Sequence, residues 1–478
     1  MKRLILIFAG LFFTILLSSH PWKPSHYVII DTDGGVDDMR AISMLLASHD
    51  VRVLAITISP GALSTDNAYI KVKSLLNSYY HEGISVGINR KSNFKSPEFN
   101  VALKTIWGDE KNIVPEDAPD YLTVISYVLS AEKSKISFIS LGSMSTARMA
   151  LQNIPSFRGR IKDFIWSADG ESDTQGFNYN IDKTSSVSML KQEIPVKIVR
   201  RFSQDNGIFY TADLISSISE INTPYAEKLT HLFSYEPVRS HDFTFSGADD
   251  MIPVFLHYPE LFLCKTAYSV SDCSPADSEE IKKSVLKILK GVTVAETQIM
   301  KRLPLMPDFY TDDIQPVVDE IIKNYGHDEW FSGVIASEMH RHLGVFEIIG
   351  VKMGIRAREY FNTGVDEFTI VSFAGSTPPL SCMNDGLQVA TGATTGHGLL
   401  TVRNDTTLFP SVEIKYLNKK IRVSLKKETA EKISAELKEI NYIYGLDSNI
   451  YWELVRKNTI KYWKELDRHE IFLIENVE

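Results

Sequence analysis

Along the first 270 or so residues, short apolar runs alternate with longer segments in which apolar residues recur every three or four positions. The short runs are rich in Val and Ile, which predicts buried strands, and the longer segments predict amphipathic helices. This alternation is typical of an α/β fold with an open, mostly parallel sheet and helices on both faces. The predicted strands cover residues 27–33, 51–59, 84–89, 136–141, 164–168 and 196–199, and the predicted helices cover residues 38–48, 64–80, 121–131 and 145–152.

The pattern changes after residue 270, where a polar segment opens a stretch rich in helical spacing. Short strands return at 367–373, 399–402, 411–416 and 421–425, and residues 428–466 have an amphipathic helical pattern. We therefore expect a second domain of the α+β class. The predicted organisation is a signal peptide at 1–22, an α/β domain at 23–275, a helical connection at 276–325, and an α+β domain with C-terminal helices at 326–478.

The amino terminus has the pattern of a secretory signal. Lys2 and Arg3 precede an uncharged, mostly apolar run at 4–17, which a short polar segment follows. A bilayer span needs about 20 apolar residues, so this run is short for a membrane helix. The expected protein is exported, periplasmic or secreted, with no stable membrane span once the signal is removed. An uncleaved N-terminal anchor is the alternative.

Composition narrows the class of function. The chain has 478 residues with 51 Lys and Arg against 60 Asp and Glu, a formal net charge of −9. This balance predicts no basic face, so nucleic acid is not an expected partner. Three cysteines are too few for a disulfide scaffold. Cys264 and Cys273 either pair in an oxidising compartment or stay free thiols.

The strongest chemical signal lies at the turn from the first strand to the first helix, where four carboxylates fall within eight residues. Like charges this close repel one another unless a cation holds them. Oxygen ligands select a hard cation, and flexible carboxylates suit Ca²⁺ better than Mg²⁺. An acidic turn that caps a helix without a metal is the alternative. The segment reads Asp31-Thr32-Asp33-Gly34-Gly35-Val36-Asp37-Asp38.

This segment closely resembles the DTDPGxDD signature of the inosine–uridine nucleoside hydrolases. The resemblance extends over about residues 26–265 and includes three later segments in the family's order. The first is LGSMST at 141–146, which is similar to the family's GPLTN turn. The second is Phe177-Asn178 with Asp182, which is similar to EFNxxxDP. The third is ADDM at 248–251 with PELF at 259–262, which is similar to the HDPLA…PELF helix.

The resemblance implies a Ca²⁺-dependent hydrolase of N-glycosidic bonds acting on a nucleoside or related glycoside. Asp33 would be the catalytic residue, a general base toward a metal-bound water. The implied metal ligands are Asp33, Asp38, the backbone carbonyl of Leu141 and Asp249, and the implied substrate-binding residues include Asp37 and Asn178. Irregular residues 90–117, which contain Trp107, are a candidate lid over the site.

Three positions depart from the family's pattern. Gly176, Ala248 and Ala62 stand where the family has a Glu, a His and an Asn that contact the ribose or the leaving base. Two interpretations follow: a hydrolase for a different glycoside, or a metal-organised binding protein without turnover. His241, seven residues before Ala248, is a candidate proton donor to the leaving group, and a surface-loop histidine is the alternative.

A second cluster follows in the C-terminal half. His340, His342 and Cys382 can form a site for Zn²⁺ or another transition metal, unless they are unrelated residues in separate places. The segment over about 325–430 resembles the FmdE-like domain, which leaves a third alternative, with the chemistry in this domain. The sequence leaves the oligomeric state open, with a homo-oligomer as one expectation. The matching residues are HRHLG at 340–344, Cys382, Asp385, Gln388 and TGATTG at 391–396, whereas the family's Cys-Pro-Gly is Gly344-Val345-Phe346 here.

Overall fold

The computed structural model describes most of the chain. The predicted signal peptide at 1–22 and the candidate donor His241 lie outside the described residues. None of the helices in the described part is both long and apolar enough to cross a membrane. The described residues are 24–92, 94–168, 175–203, 208–239, 245–291, 299–300 and 303–477.

The first domain is built on an eight-stranded sheet. The strands are β1 (His26–Thr32), β2 (Val51–Ile58), β3 (Ser85–Ile88), β4 (Ile136–Ser140), β5 (Ile161–Ala168), β6 (Val196–Arg200), β7 (Phe262–Ala267) and β8 (Val270–Pro275). Their order is β3-β2-β1-β4-β5-β6-β8-β7, and every pair is parallel except the edge pair β7–β8. The predicted α/β class with a mostly parallel sheet is confirmed.

Helices cover both faces of this sheet because β1 is apolar on both sides. Val28 and Ile30 pack into one core and Ile29 into the other, and all three are fully buried. The helices are α1 (Val36–Ala47), α2 (Thr65–Ser78), α3 (Asn100–Lys104), α4 (Tyr121–Ala131), α5 (Ser145–Asn153), α6 (Phe157–Arg160), α7 (Phe177–Ile181), α8 (Lys183–Met189), α9 (Ala212–Ser219), α10 (Pro224–Ser234), α11 (Glu236–Arg239), α12 (Met251–His257) and α13 (Ser278–Leu289).

The second domain combines a five-stranded sheet with long helices, and its α+β class is confirmed. Its order is β10-β9-β11-β12-β13, with β10–β9 parallel and the other pairs antiparallel. The strands are β9 (Thr369–Ser372), β10 (Leu400–Val402), β11 (Ser411–Tyr416), β12 (Lys419–Leu425) and β13 (Phe472–Asn476), and the helices are α14 (Val318–His340), α15 (Val345–Phe361), α16 (Met383–Thr391), α17 (Lys427–Tyr444) and α18 (Asn449–Glu465).

The β7–β8 hairpin and strand β13 are elements that the sequence pattern did not indicate. In the hairpin, Cys264 and Cys273 lie opposite each other and form a disulfide, which settles the alternative left open above. Helix α13 packs Ile281, Val285 and Ile288 into the core of the first sheet. The exact domain boundaries stay a prediction.

The domains meet at the amino ends of the first sheet's strands. Arg52, at the start of β2, donates two hydrogen bonds to Glu367 at 2.6 and 2.9 Å. Just before β3, the backbone N–H of Gly83 donates to the carbonyl of Tyr360, the penultimate residue of α15 (2.8 Å). Since ligands of parallel sheets bind beyond the carboxyl ends of strands, this contact lies at the opposite edge from the expected site.

A buried histidine belongs to the same contact. His81 Nδ1 lies 2.6 Å from the carbonyl oxygen of Glu359. Since a carbonyl oxygen can only accept a hydrogen bond, Nδ1 carries the proton and donates it. Its Nε2 lies 2.8 Å from the hydroxyl of Tyr225. Burial lowers the pKa of His81 to about 4. The folded protein therefore holds this imidazole neutral at physiological pH.

We predict that acid weakens this contact. In the unfolded chain His81 titrates near its ordinary pKa of about 6.5, so the unfolded state binds the proton first as pH falls. The contribution of His81 to the free energy of unfolding is fully present above about pH 6.5 and declines toward pH 4. Between about pH 7.5 and about pH 5 the free energy of unfolding should fall by about 2 kcal/mol. The measurement is urea unfolding at both pH values, following the first transition.

The control compares two variants. His81→Gln should remove this part of the pH dependence, whereas His231→Gln, at an exposed position of α10, should retain it. An unchanged pH dependence in His81→Gln would contradict the prediction.

Candidate active site

The acidic segment lies where the strand order of the first sheet changes direction. The chain moves from β1 outward to β2 and β3, then returns to β4 on the other side of β1. The carboxyl ends of β1 and β4 therefore frame a crevice, which is the usual ligand site of such sheets. Asp33 follows β1 directly, Asp37 and Asp38 begin α1, and Leu141 follows β4.

Hydrogen bonds within the segment fix its shape. Asp38 Oδ2 accepts from the Thr32 hydroxyl at 2.6 Å and from the Asp33 backbone N–H at 3.0 Å. Asp31, fully buried below the turn, accepts from the hydroxyls of Thr57 (2.6 Å) and Ser59 (2.7 Å) on β2 and just after it. Asp31 thus supports the turn from below through hydrogen bonds to β2 and the residue after it.

Three carboxylates converge on one point. Asp37, Asp38 and Asp249 each place an oxygen within 4.8 Å of the others, and within the described residues no other set of three or more potential ligand side chains does so. Asp249 comes from the segment before α12, more than 200 positions along the chain. Ser167, at the end of β5, donates its hydroxyl to Asp249. This group is a candidate metal site with oxygen ligands.

The electrostatics of the group favour a bound cation. Burial raises the pKa of Asp33 well above its ordinary value, and the negative charge of the neighbouring Asp38 is the second-largest cause. Burial and Asp38 likewise raise the pKa of Asp37 to about 7. The pKa of Asp249 is raised well above its ordinary value by burial and then by Asp37. A cation among them would offset this repulsion and keep the carboxylates ionised.

Asp33 lies beside this group in a narrow space between two loops. A Cβ at Gly61 would overlap Asp33 Oδ2, and a Cβ at Gly142 would lie 3.2 Å from the same atom. Glycine at position 61 is therefore required for the close approach of the β2 loop. The backbone of Ala62 hydrogen-bonds the Asp33 carboxylate, and the Gly35 N–H donates to Asp33 Oδ1 at 3.3 Å.

The carbonyl of Leu141 and the side chain of Asn178 meet at the same crevice. Asn178 Nδ2 donates to the Leu141 carbonyl at 2.7 Å and lies 3.3 Å from the Ser167 carbonyl. A carbonyl oxygen has two lone pairs, so the Leu141 carbonyl retains one for a ligand. Asn178 therefore orients a predicted metal ligand.

An ion pair that the sequence did not indicate supports the crevice from below. Arg40 donates to both oxygens of Asp250, at 2.9 and 2.7 Å, and Tyr210 donates its hydroxyl to the same carboxylate at 2.7 Å. Both Arg40 and Asp250 are buried. The pair links α1 to the segment that carries Asp249. In the sequence, the only indication of this ion pair was a second acidic residue, Asp250, directly after Asp249.

One departure from the family's pattern, Gly176, is built into the backbone. Gly176 has φ = 112°, a conformation that side-chain-bearing residues rarely adopt, so a Glu at this position would be strained. Ala248 is buried next to Asp249. The crevice thus brings together Asp33, Asp37, Asp38, Leu141, Asn178 and Asp249.

The second predicted cluster lies at the junction of α14 and α15. The rings of His340 and His342 are 4.3 Å apart between centroids, and His340 Nδ1 lies 2.7 Å from Asp385 Oδ2. His340 Nε2 is buried without a hydrogen-bond partner. Cys382 is nearly buried, which raises its pKa to about 11. The three predicted ligands do not reach the mutual distance seen in the aspartate group.

Glu347 is a residue of this region that sequence reasoning missed. It is fully buried, and burial raises its pKa to about 8. Its carboxyl group accepts from the Gly344 N–H at 3.2 Å and from the Ser337 hydroxyl at 3.1 Å. An acidic residue within an otherwise apolar helix segment was the available signal.

Comparisons with known proteins agree with both resemblances. The sequence profile described as FmdE, molybdenum formylmethanofuran dehydrogenase operon, matches residues 339–459. The purine-preferring ribonucleoside hydrolase of Gardnerella vaginalis is 14% identical and has a TM-score of 0.45, covering 56% of this chain and 99% of that one. The inosine-uridine preferring nucleoside hydrolase of Bacillus anthracis is 14% identical, with a TM-score of 0.43 and coverage of 55% and 99%. No curated protein matches the chain.

The profile of the inosine-uridine preferring nucleoside hydrolases matches residues 28–285, which is more than half of the 478 residues. The predicted fusion of this domain to an FmdE-like domain is confirmed. The chain belongs to the inosine-uridine preferring nucleoside hydrolase family and is an N-glycosyl hydrolase of open specificity, with an FmdE domain toward its C-terminus.

Proposed function

We propose that the first domain hydrolyses the N-glycosidic bond of a nucleoside or related glycoside, using calcium held at the carboxyl edge of the sheet. The observation that carries this proposal is the convergence of Asp37, Asp38 and Asp249 within 4.8 Å, with Asp33 buried beside them. Family membership supports the reaction class.

The choice of calcium rests on the chemistry of the donors. Asp38, Asp249, Asp33 and the carbonyl of Leu141 offer only oxygen atoms, which select a hard cation. Calcium held by these groups would supply positive charge that acidifies and orients a water molecule near the sugar. The chain's own contribution is the fixed turn: the Thr32 hydroxyl and the Asp33 N–H hold the Asp38 carboxylate in place.

Asp33 is proposed as the general base. Its carboxylate lies between two glycines that leave room at Oδ2, and backbone N–H groups bind it. The attacking water forms the new C–O bond, and Asp33 takes the proton that the water loses. The electron pair of the broken C–N bond stays on the leaving base, which gains a proton from solvent.

Asp37 is proposed to bind sugar hydroxyls. It lies in the first turn of α1, at the rim of the crevice, and is less buried than Asp38. A carboxylate close to the sugar also stabilises the positive charge of an oxocarbenium-like transition state. Asn178 acts through the Leu141 carbonyl that it orients.

A binding protein without turnover is the alternative. The altered positions Gly176, Ala248 and Ala62 favour it, because the family's polar contacts to ribose and base are lost there. The complete set of acidic residues favours the hydrolase, since capture of a ligand needs no general base.

We further propose export to an oxidising compartment. The signal-like pattern at 1–22 supports it, and so does the disulfide between Cys264 and Cys273, since such bonds persist outside the cytosol. A homo-oligomer stays a prediction.

For the FmdE domain, a transition-metal site is proposed at His340, His342 and Cys382. The buried, unpartnered Nε2 of His340 favours it, because its other ring nitrogen is already oriented by Asp385. Asp385 thus sets the tautomer that leaves Nε2 available to a metal. A catalytic role for this domain stays an alternative.

The hydrolase proposal predicts a large effect of a small substitution. Asp33→Asn keeps the size of the side chain and removes its basicity, so kcat/KM should fall by about 100- to 10,000-fold. Hydrolysis is measured as reducing-sugar release from a panel of purine and pyrimidine nucleosides, with Ca²⁺ or with EDTA. Activity should vanish in EDTA and return with added Ca²⁺.

The matched control is Asp66→Asn, at an exposed aspartate in the first turn of α2. It should retain wild-type activity. Calorimetric titration of Ca²⁺ into Asp249→Asn should show lost binding. Release that survives both EDTA and Asp33→Asn would contradict the proposal, and Ca²⁺ binding without any hydrolysis would favour the binding protein.

The FmdE proposal predicts one equivalent of Co²⁺ or Zn²⁺ bound in the full chain, with a cobalt–thiolate absorption band from Cys382. His340→Ala should abolish this band and leave nucleoside hydrolysis intact. His231→Ala, at an exposed position, is the control. A band that persists in His340→Ala would show that the metal binds elsewhere.

A further inference from the structure

The residue that follows Asp249 departs from the family's pattern. The HDPLA motif, which the segment at 248–252 resembles, has a proline directly after its aspartate, and Asp250 stands at that position here. A proline ring fixes φ at about −65°. Asp250 has φ = −55°, so its backbone keeps a conformation that proline would impose, although the ring is absent. In this chain the constraint on the backbone beside Asp249 must therefore come from another contact.

Arg40 makes a contact of this kind. Its guanidinium group donates to both carboxylate oxygens of Asp250, at 2.9 and 2.7 Å, and such a two-point contact fixes orientation as well as distance. The hydroxyl of Tyr210 donates to the same carboxylate at 2.7 Å. Arg40 also donates to the carbonyl of Ser246 at 3.0 Å. Arg40 thus binds the segment before α12 at two of its residues.

The side chain of Asp250 does not cap the helix that it precedes. Asp250 is the N-cap residue of α12, a position where an aspartate commonly accepts a hydrogen bond from an N–H group of the first turn. Its side chain makes no such bond. The carboxylate is bound instead by Arg40, which lies 210 positions away in the chain. The contact therefore serves tertiary positioning rather than local helix formation.

The pair connects the two segments whose carboxylates converge. Arg40 lies on α1, the helix whose first turn carries Asp37 and Asp38. Asp250 directly follows Asp249, and oxygens from the two segments come within 4.8 Å of one another. A shift of the Asp250 backbone relative to α1 would change this separation. Because calcium binds oxygen ligands at about 2.3–2.6 Å, small shifts of this kind alter its affinity.

Stability alone does not account for such a pair. The side chain of Arg40 is 1% exposed and that of Asp250 is fully buried. Removing two charges from water costs free energy, and well-packed apolar side chains at two such positions often stabilise a fold equally well. Apolar side chains lack the directional two-point contact, however. We therefore expect the pair to affect metal affinity more than the stability of the fold.

We propose that Arg40 and Asp250 are positioning residues for the cation site and supply the constraint that proline supplies in the family. From α1, Arg40 holds the backbone beside Asp249 at the distance where the Asp249 carboxylate meets those of Asp37 and Asp38. Both residues act through Asp249. The inference rests on the proposed calcium-dependent function.

The test compares two variants of the full chain with the wild type. The apolar form carries Arg40→Met, Tyr210→Phe and Asp250→Leu, so that no buried charge or hydroxyl is left without its partner. The constrained form carries Asp250→Pro in place of Asp250→Leu and thus restores the fixed φ. In calorimetric titrations, the Kd for Ca²⁺ of the apolar form should rise about 10- to 100-fold, the range typical of lost outer contacts at metal sites. The constrained form should recover most of the affinity.

Two controls separate positioning from stability. Lys197→Met with Asp163→Leu removes an ion pair of 2.6 Å near the amino ends of β5 and β6, at the edge of the sheet away from the site. This variant should keep the wild-type Kd for Ca²⁺. Thermal unfolding in EDTA measures the fold without metal, and the apolar form should unfold within about 4 °C of the wild type.

A conservative substitution tests the geometry of the contact. Arg40→Lys keeps the positive charge, but an ammonium group cannot reproduce the planar two-point contact of a guanidinium group. The Kd for Ca²⁺ should therefore rise about 10-fold in Arg40→Lys, with the unfolding temperature in EDTA nearly unchanged. A wild-type Kd in Arg40→Lys would show that charge alone suffices and would contradict the inference.

The remaining outcomes separate this inference from the proposed function. A wild-type Kd in the apolar form would overturn the inference and leave the calcium site standing. A loss of affinity that occurs only together with a lowered unfolding temperature in EDTA would also overturn it. Equally weak binding by the apolar and constrained forms would overturn the assignment of proline's role to the pair. If the wild-type chain bound no Ca²⁺, both the inference and the proposed function would fail.

Discussion

The crowding of buried carboxylates at the carboxyl edge of the first sheet is the constraint on which the rest of this domain depends. Two of these acids have partners of their own. Asp31 accepts hydrogen bonds from hydroxyls on β2 and on the residue after it. Asp250 is neutralised by Arg40 and also accepts a hydrogen bond from Tyr210. Within the described residues, Asp33 and Asp249 have no such cationic partner. Since a buried charge is costly without compensation, a cation bound at this position would stabilise the fold.

The contact between the two domains is separated from this position. It uses the amino ends of β2 and β3, at the opposite edge of the sheet, together with the C-terminal turn of α15 and Glu367. The histidine cluster of the FmdE domain lies near the start of α15, about 24 Å away along the helix at about 1.5 Å per residue. The histidine cluster and the contact between the domains therefore lie at opposite ends of α15.

Sequence reasoning worked best where local pattern and chemistry coincide. Buried β1 contains a run of Val and Ile, and the acids that follow it have a recognisable order. The strand, the acidic turn and a candidate metal site were therefore predictable from the sequence. The β7–β8 hairpin was missed because β7 is an exposed edge strand with almost no buried residues. Helix α13 was placed in a connection because its polar start hides residues that pack into the first core. Contacts of this kind depend on partners distant in sequence.

The sequence by itself determined the α/β class, the acidic turn and the family, because each is encoded in consecutive residues. Only the tertiary structure decided that Asp249 converges with Asp37 and Asp38, since more than 200 residues separate them along the chain. It also decided that Cys264 pairs with Cys273, through the hairpin register. The placement of Phe99 opposite Phe177 likewise follows from hydrogen bonds between loops. Local pattern specifies elements, whereas a site assembled across strands exists only once the sheet has ordered them.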